Sequence, residues 1–297
     1  MARWDDMRVF LAVARAESLS RAAPVLRMDA ATVGRRIARL EAETGAALFV
    51  KSPQGYALTD LGARMRDHAA DAETALSMAL EEARGTQGGL TGQIRIGAPD
   101  GASNYLLPQV CAAIARDNPG LEIQILALPR VVNLSKREAD MAVTVSPPQT
   151  GRLTVQKISD YRLHLAAPKD AVITTPEDLK GWPVVGYIPD MIFDKELDYL
   201  GELGAQGVQI ASNSVAVQAM ALRAGGGVGI VHDFALPFAP ELARVLVDQI
   251  SLTRSFYLVR HTSDRKSDRL NRFAQALLSG VRAEIVRLEA LIDKRVA

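Results

Sequence analysis

Residues 18–59, SLSRAAPVLRMDAATVGRRIARLEAETGAALFVKSPQGYALT, decide the fold of the N-terminal part of this chain. Asp29 is an N-cap residue ahead of a helix over roughly Ala30 to Glu43, and Gly45 supplies the left-handed stop just beyond it. Within that helix Val33, Ile37 and Leu40 recur at i, i+4 and i+7 and form the buried stripe, while Thr32, Arg35, Arg36 and Arg39 lie off it. Upstream, Ser18 caps a shorter helix whose Leu19, Ala22, Ala23 and Leu26 make an apolar face, with alanines small enough for close helix approach. Pro24 falls inside that helix and should bend or shorten it, because it removes a backbone hydrogen bond. Trp4, Met7, Phe10, Leu11 and Ala14 predict a third helix that closes a small core. Leu48 to Lys51 and Ala57 to Thr59 flank a Pro-Gln-Gly turn and read as a two-stranded wing. This is the grammar of a winged helix-turn-helix, which places one helix in a DNA groove. A forked arginine there can reach guanine O6 and N7 or hold a phosphate. By pattern alone, the stretch also fits three surface helices with merely solvated arginines. Lys51 and Gln54 in the wing would touch phosphate or the minor groove, with a plain hairpin as the alternative.

The same text resembles the N-terminal domain of the LysR-type transcriptional regulators. The matching segments are FLAVARAESLSRAAPVL, then ATVGRRIARLEAETGAALF, then GYALTDLG. The family often reads Gln-Pro-Ala-Leu-Ser-Arg-Gln-Ile along its recognition helix, where this chain has Ala30-Ala31-Thr32-Val33-Gly34-Arg35-Arg36-Ile37. The resemblance therefore puts Arg35 on the family's base-reading arginine. Ala30, Ala31 and Gly34 replace its glutamine, proline and serine, which leaves more of the contact to Arg35, Arg36 and Arg39. Many members carry arginine where Lys51 stands, so the charge is kept and the planar fork is lost.

Charge is distributed locally. The 297-residue chain has a formal net charge of only +1. Residues 1–66 nevertheless hold 11 Lys+Arg against 7 Asp+Glu, a difference of +4. Residues 67–84 hold five acids against Arg84, a difference of −4. A modest basic patch confined to the reading head fits a sequence-selective dimer better than a protein that coats DNA.

The acidic segment predicts one long helix from about Thr59 to Arg84, capped by Thr59 with Asp60 in its first turn. Its broad face of Leu61, Met65, His68 and the alanines from Ala72 onward, with Leu76 and Leu80, is too large for the preceding domain to bury, and packing against a second copy is the expectation. The family's linker helix behaves in this way. Gly85 stops the helix and opens a hinge through Gly89.

From Leu90 the pattern becomes α/β. Gln93–Gly97, Leu121–Leu128 and Ala139–Val145 read as strands, then Leu163–Ala167, Trp182–Tyr187 and Val228–Val231, with helices between and parallel pairing expected. GQIRIG, LLPQV, NPGLEIQI and AGGGVGIV follow the family's order, so the resemblance spans essentially the whole chain. It implies a winged helix-turn-helix over 1–60, a dimerisation helix and hinge over 61–90, and a two-lobed effector domain over 91–297 that is similar to periplasmic binding proteins. Crossovers near 161 and 265 would give one lobe of about 91–161 with 265–297 and a second of about 162–264.

Loops at the carboxyl ends of strands, and the N-termini of following helices, are where such folds hold ligands. The expected effector-contacting positions are Asp100, Ser103, Asn104, Asn133, Tyr187, Asn213 and His232. Each also reads as a turn residue or helix cap, Ser103 and Asn213 especially. Asp100 would disfavour a ligand carboxylate unless a cation compensates.

No catalytic, cofactor or metal constellation is present in the sequence. His68, His164, His232 and His261 are scattered, and there is no H-E-x-x-H or G-x-S-x-G. Gly225 to Gly229 follow a helix and open a strand, the reverse of a dinucleotide fingerprint, and read as a helix stop. Cys111 is the only cysteine and lies on an apolar helix face, which predicts a buried structural role and fits a reducing compartment. With no signal peptide and no apolar run near 18 residues, the expectation is a cytoplasmic protein without a membrane span. The partners implied are double-stranded DNA with an inverted-repeat site, a small-molecule effector, a second or further copies as homodimer or homotetramer, and RNA polymerase for an activator. A metabolite-binding protein or enzyme with a non-functional helical appendage is the alternative from another class.

Overall fold

The computed structural model describes residues 3–52, 55–83, 89–127, 134, 138–199, 201 and 207–296. It divides into two compact units, residues 1–88 and 89–297.

In the first unit α1 (Trp4–Ala16), α2 (Leu19–Leu26) and α3 (Ala30–Thr44) precede a hairpin of β1 (Phe49–Ser52) and β2 (Gly55–Leu58), followed by α4 (Asp60–Ala83). Local chemistry sets these boundaries. The Ser18 hydroxyl accepts from the Arg21 N–H at 3.4 Å, the Asp29 carboxylate from Thr32 N–H at 2.8 Å, and the Thr59 hydroxyl from Gly62 N–H at 2.9 Å. Gly45 ends α3 at φ 70°. Pro24 sits exposed in the last turn of α2, which ends at Arg27 with φ 53°, so the proline goes with a short helix. Val9, Phe10, Val13, Ala22, Val33 and Leu40 are fully buried and define the core between the three helices. Gly34 lies where α2 crosses α3, and a Cβ there would stand 3.3 Å from Leu19 Cδ1. The hairpin is tied in by the Glu41 carboxylate, which accepts from Leu48 and Phe49 N–H groups at 2.8 and 3.2 Å.

The second unit is built on β3 (Gly92–Ala98), α5 (Asp100–Tyr105), α6 (Leu107–Asp117), β4 (Leu121–Ala127), β5 (Met141–Thr144) and a long β6 (Leu153–Pro168). It continues through β7 (Val185–Gly186), β8 (Ile210–Ala211), α7 (Val215–Arg223), β9 (Gly229–His232), β10 (Leu242–Arg244), β11 (Ser251–His261) and α8 (Asp268–Val296). The main sheet runs β10-β6-β11-β5-β3-β4, with β9 also paired to β6.

The expectation of parallel pairing holds only in part. β3 is parallel to β4 and β5, and β7 to β8, but β6 and β11 pair antiparallel with each other and with their other neighbours. The physical reason is that β6 and β11 are long enough to run through both lobes. Their outer ends pair β5 on the first lobe, and β9 and β10 on the second. The register slips between Phe256 and Tyr257, which leaves Ile158 as the extra residue of a bulge. Arg282 of α8 donates to the Ile158 and Lys157 carbonyls at 2.5 and 3.1 Å, satisfying the backbone there.

The glycines after α7 form its stop. Gly225 and Gly226 N–H groups donate to Leu222 and Ala221 carbonyls, both at 2.9 Å, and Val228 then bridges to Val184 in parallel. At Gly227, φ is 130° and a Cβ would drive into the Pro183 carbonyl oxygen, whereas Gly225, at φ 81°, has open space around it. Gly227→Ala is therefore expected to lower the unfolding free energy, read from denaturant midpoints, by about 2 kcal/mol or more, and Gly225→Ala by about 1 kcal/mol. Equal effects of the two variants would contradict the steric account.

Candidate functional site

The first site surrounds α3. Thr32, Arg35, Arg36 and Arg39 share this helix but have different partners. The Asp29 carboxylate accepts from both the N–H and the hydroxyl of Thr32 at 2.8 Å, and Arg35 Nη2 donates to the Thr32 hydroxyl at 2.7 Å. These contacts hold the exposed Asp29 below the usual carboxylate range, the Thr32 N–H being the leading cause. Arg35 is otherwise exposed. Arg39 instead donates through Nε to Asp6 at 2.7 Å, and Arg36 Nη1 reaches the same carboxylate at 3.5 Å. Asp6, on α1, has no solvent exposure. The hydrogen bond to Asp6 holds the Arg39 guanidinium above its ordinary value. Two of the three arginines are thus committed to positioning α3 on α1, and Arg35 is left at the helix's open face.

In the wing, Lys51 is exposed on β1 with Nζ 5.8 Å from the Tyr56 ring centroid. Tyr56 N–H donates to the Glu17 carbonyl at 2.9 Å, anchoring the hairpin to the end of α1. Gln54 lies outside the described residues.

The second site lies between the two lobes of residues 89–297. Asp100 opens α5 in the first lobe. Its carboxylate accepts from the Ser214 hydroxyl and from Ala216 N–H, both at 3.1 Å, at the start of α7 in the second lobe. A carboxylate of the chain itself therefore occupies the anion-attracting end of α7. A second clasp joins Ser146, after β5, to the Asp194 carboxylate. Gly101 lies against His232, where a Cβ would come 3.3 Å from the ring. His232 is 4% exposed and stacks 5.4 Å from Tyr161, which in turn stacks 4.1 Å from Phe256. The structure thus joins Asp100 to Ser214 across the two lobes and sets the buried His232 against Gly101, while Tyr187 lines a cavity within the second lobe.

The remaining expected positions have local duties or stand apart. Ser103 is buried and donates to the Ala98 carbonyl at 3.2 Å, and Asn104 donates to the Asp100 carbonyl at 2.8 Å. Asn213 is half-buried, one residue before Ser214, which caps α7. Asn133 lies outside the described residues.

Sequence reasoning missed the residues that hold this region together. Asp233, with no exposure, accepts from Arg244 at 2.9 Å and pairs with His164 Nδ1 at 2.8 Å. Arg162 and Arg244 then reach Asp293 of α8 at 2.9 and 3.1 Å, and Arg162 also reaches Glu289. Long-range pairing of this kind leaves no periodic trace. Tyr199 was missed as well; it is 8% exposed and its hydroxyl has no hydrogen-bond partner among the described residues. Burial raises the Tyr161, Tyr187 and Tyr199 phenols above their ordinary value and pushes the Cys111 thiol up to about 12, so Cys111 is an inert core residue. Among the described residues no cluster of His, Cys, Asp and Glu is placed to hold a metal ion, and no helix is long and apolar enough to cross a membrane.

A basic reading helix in one unit and a ligand-type cleft in the other define a DNA-binding regulator that responds to a small molecule. Residues 4–63 match the bacterial regulatory helix-turn-helix protein, lysR family, and residues 87–282 match the LysR substrate binding domain. The chain is 27% identical over 257 residues to the HTH-type transcriptional regulator PtxR of Pseudomonas aeruginosa, covering 81% of this chain and 79% of that protein. It is 26% identical over 297 residues to the glycine cleavage system transcriptional activator of Escherichia coli, covering 94% of each. The fold matches full-length OxyR from Pseudomonas aeruginosa with a TM-score of 0.69, 18% identity and coverage of 95% of this chain and 98% of that one. It also matches full-length LysG from Corynebacterium glutamicum with bound effector Arg, with a TM-score of 0.63, 18% identity and coverage of 94% and 98%. The chain belongs to the LysR family and is a LysR-type transcriptional regulator with an effector-binding domain.

Two outcomes follow from the buried groups. Asp6→Ala strands two guanidinium partners and opens the α1–α3 contact, so hydrogen exchange in both helices should speed up, with a loss of about 2 kcal/mol for a pair that is buried on one side only. Unchanged protection there would show that Asp6 does not hold α3. Burial pushes His232 down to about 4. The unfolded imidazole binds its proton near pH 6.5 and the folded one does not, so stability is full above that pH and falls on acidification. Between pH 7 and pH 5 the His232 contribution amounts to about 2 kcal/mol, read from urea midpoints, and His232→Gln should flatten that limb.

Proposed function

We propose that this regulator binds an inverted-repeat DNA site as a homodimer or homotetramer, and that effector occupancy of the inter-lobe cleft alters the spacing of its reading heads. The observation that carries the DNA half is the division of labour on α3. Asp6 fixes the helix through Arg36 and Arg39, and Arg35 remains exposed with a single tether to Thr32. In this reading Arg35 reads a base edge in the major groove. Thr32 positions it, Arg36 and Arg39 act on phosphate only from the Asp6 clamp, and Lys51 and Gln54 contact the flanking backbone.

Self-association is supported by α4, where Leu61, Ala72, Ala75, Leu76 and Ala79 are exposed along a helix of 24 residues. Two-fold pairing of reading heads is what gives a site its inverted repeat. In the cleft, Asp100, Tyr187 and His232 face the effector, with Ser103, Asn104, Asn133 and Asn213 shaping the loops around them. The protein acts in the cytoplasm without catalysing a reaction, and an activating mode would add RNA polymerase as a partner. Coupling is allosteric in the strict sense, since effector and DNA shift each other's affinity by the same factor.

Arg35→Ala should weaken the preferred duplex about 10-fold to 100-fold in a gel shift and relax preference at one base pair per half-site. Uniform weakening of all sequences would make Arg35 a phosphate contact only.

A further inference from the structure

Val33, Ile37 and Leu40 are buried along one side of α3. At 3.6 residues per turn, the line directly opposite that stripe carries Ala31, Arg35 and Ala38, and all three are exposed. The remaining polar side chains of residues 30–39 lie to one flank of this line. Arg36 and Arg39 are drawn there toward Asp6 of α1. Thr32 lies on the same flank, where its one O–H is given to the Asp29 carboxylate and its oxygen accepts from Arg35, so it has no proton left for a base. The centre of the outward face is therefore a guanidinium between two methyl groups.

Arg35 is the one side chain on that line able to hydrogen-bond a base edge. A methyl group recognises a base only by apolar contact, and in the major groove the partner for such contact is the 5-methyl group of thymine. A helix-turn-helix reads base edges with the N-terminal end of its recognition helix, which favours Ala31, in the first turn, over Ala38, about two turns further on. Ala30 beside it is half-buried and packs on the core of the domain, so Ala31 stands alone at the tip of the face.

Resting on the base contact by Arg35 proposed above, we propose that Ala31 is a specificity-determining residue. Its methyl group packs against the 5-methyl group of a thymine in each half-site, beside the guanine that Arg35 reads.

Duplexes selected from a random-sequence pool by the full-length protein supply the probe. Each thymine of the selected half-site is replaced in turn by deoxyuridine, which pairs identically and lacks only the methyl group, and affinity is read by gel shift. One replacement per half-site should weaken binding about threefold to fivefold, the worth of one buried methyl group. Ala31→Gly should bind the thymine duplex less tightly and no longer distinguish it from the deoxyuridine duplex. That ratio is taken within one protein, so any loss of helix stability cancels. Selected half-sites without thymine, or indifference of the unaltered protein to every deoxyuridine, would overturn the proposal. So would a deoxyuridine effect that persists undiminished in Ala31→Gly, which would assign it to duplex shape. If Arg35→Ala weakens all sequences equally yet keeps the preference for thymine over deoxyuridine, the guanine contact falls and the Ala31 contact stands.

Discussion

Asp6 is a carboxylate with no exposure to solvent, placed on the first helix of a small three-helix domain. A charge in that position is tolerated only if it is fully met by partners, because removing it from water costs several kcal/mol. Arg39 and Arg36 meet it, and in doing so they fix how α3 lies on α1. Everything the reading head presents outward depends on that docking. The wing follows, since Glu41 on the same helix holds the start of β1 and Glu17 at the end of α1 holds β2. An α3 fixed in this way can display Arg35, tethered to Thr32, accurately.

The effector unit uses a carboxylate in a related way. Asp100 joins two helix starts that belong to different lobes, so the lobes are tied by the chain's own charge. The bulge in the β6–β11 pair lies where both long strands pass between lobes, and Arg282 satisfies its carbonyls.

Much of this was legible from sequence because it is local. Ser18, Asp29, Thr59 and Gly45 mark helix ends through contacts within a few residues, and Val33, Ile37 and Leu40 reveal the buried face by period alone. The antiparallel strands at Leu242–Arg244 and Ser251–His261 were not foreseen, although the second partly alternates, because their partners lie far away in β6. The three arginines of α3 look alike in sequence; only the fold shows that Asp6, about thirty residues upstream, claims two of them. Tyr199 carries no signal in its neighbourhood, and its hydroxyl is left without a partner only by the packing of the second lobe around it.

The most direct test of this account is selection of bound duplexes from a random-sequence pool by the full-length protein at moderate salt. The account predicts enrichment of a two-fold symmetric motif, with half-sites about one helical turn or a multiple of it apart. Recovery of unenriched sequence, or of a single asymmetric half-site, would contradict it.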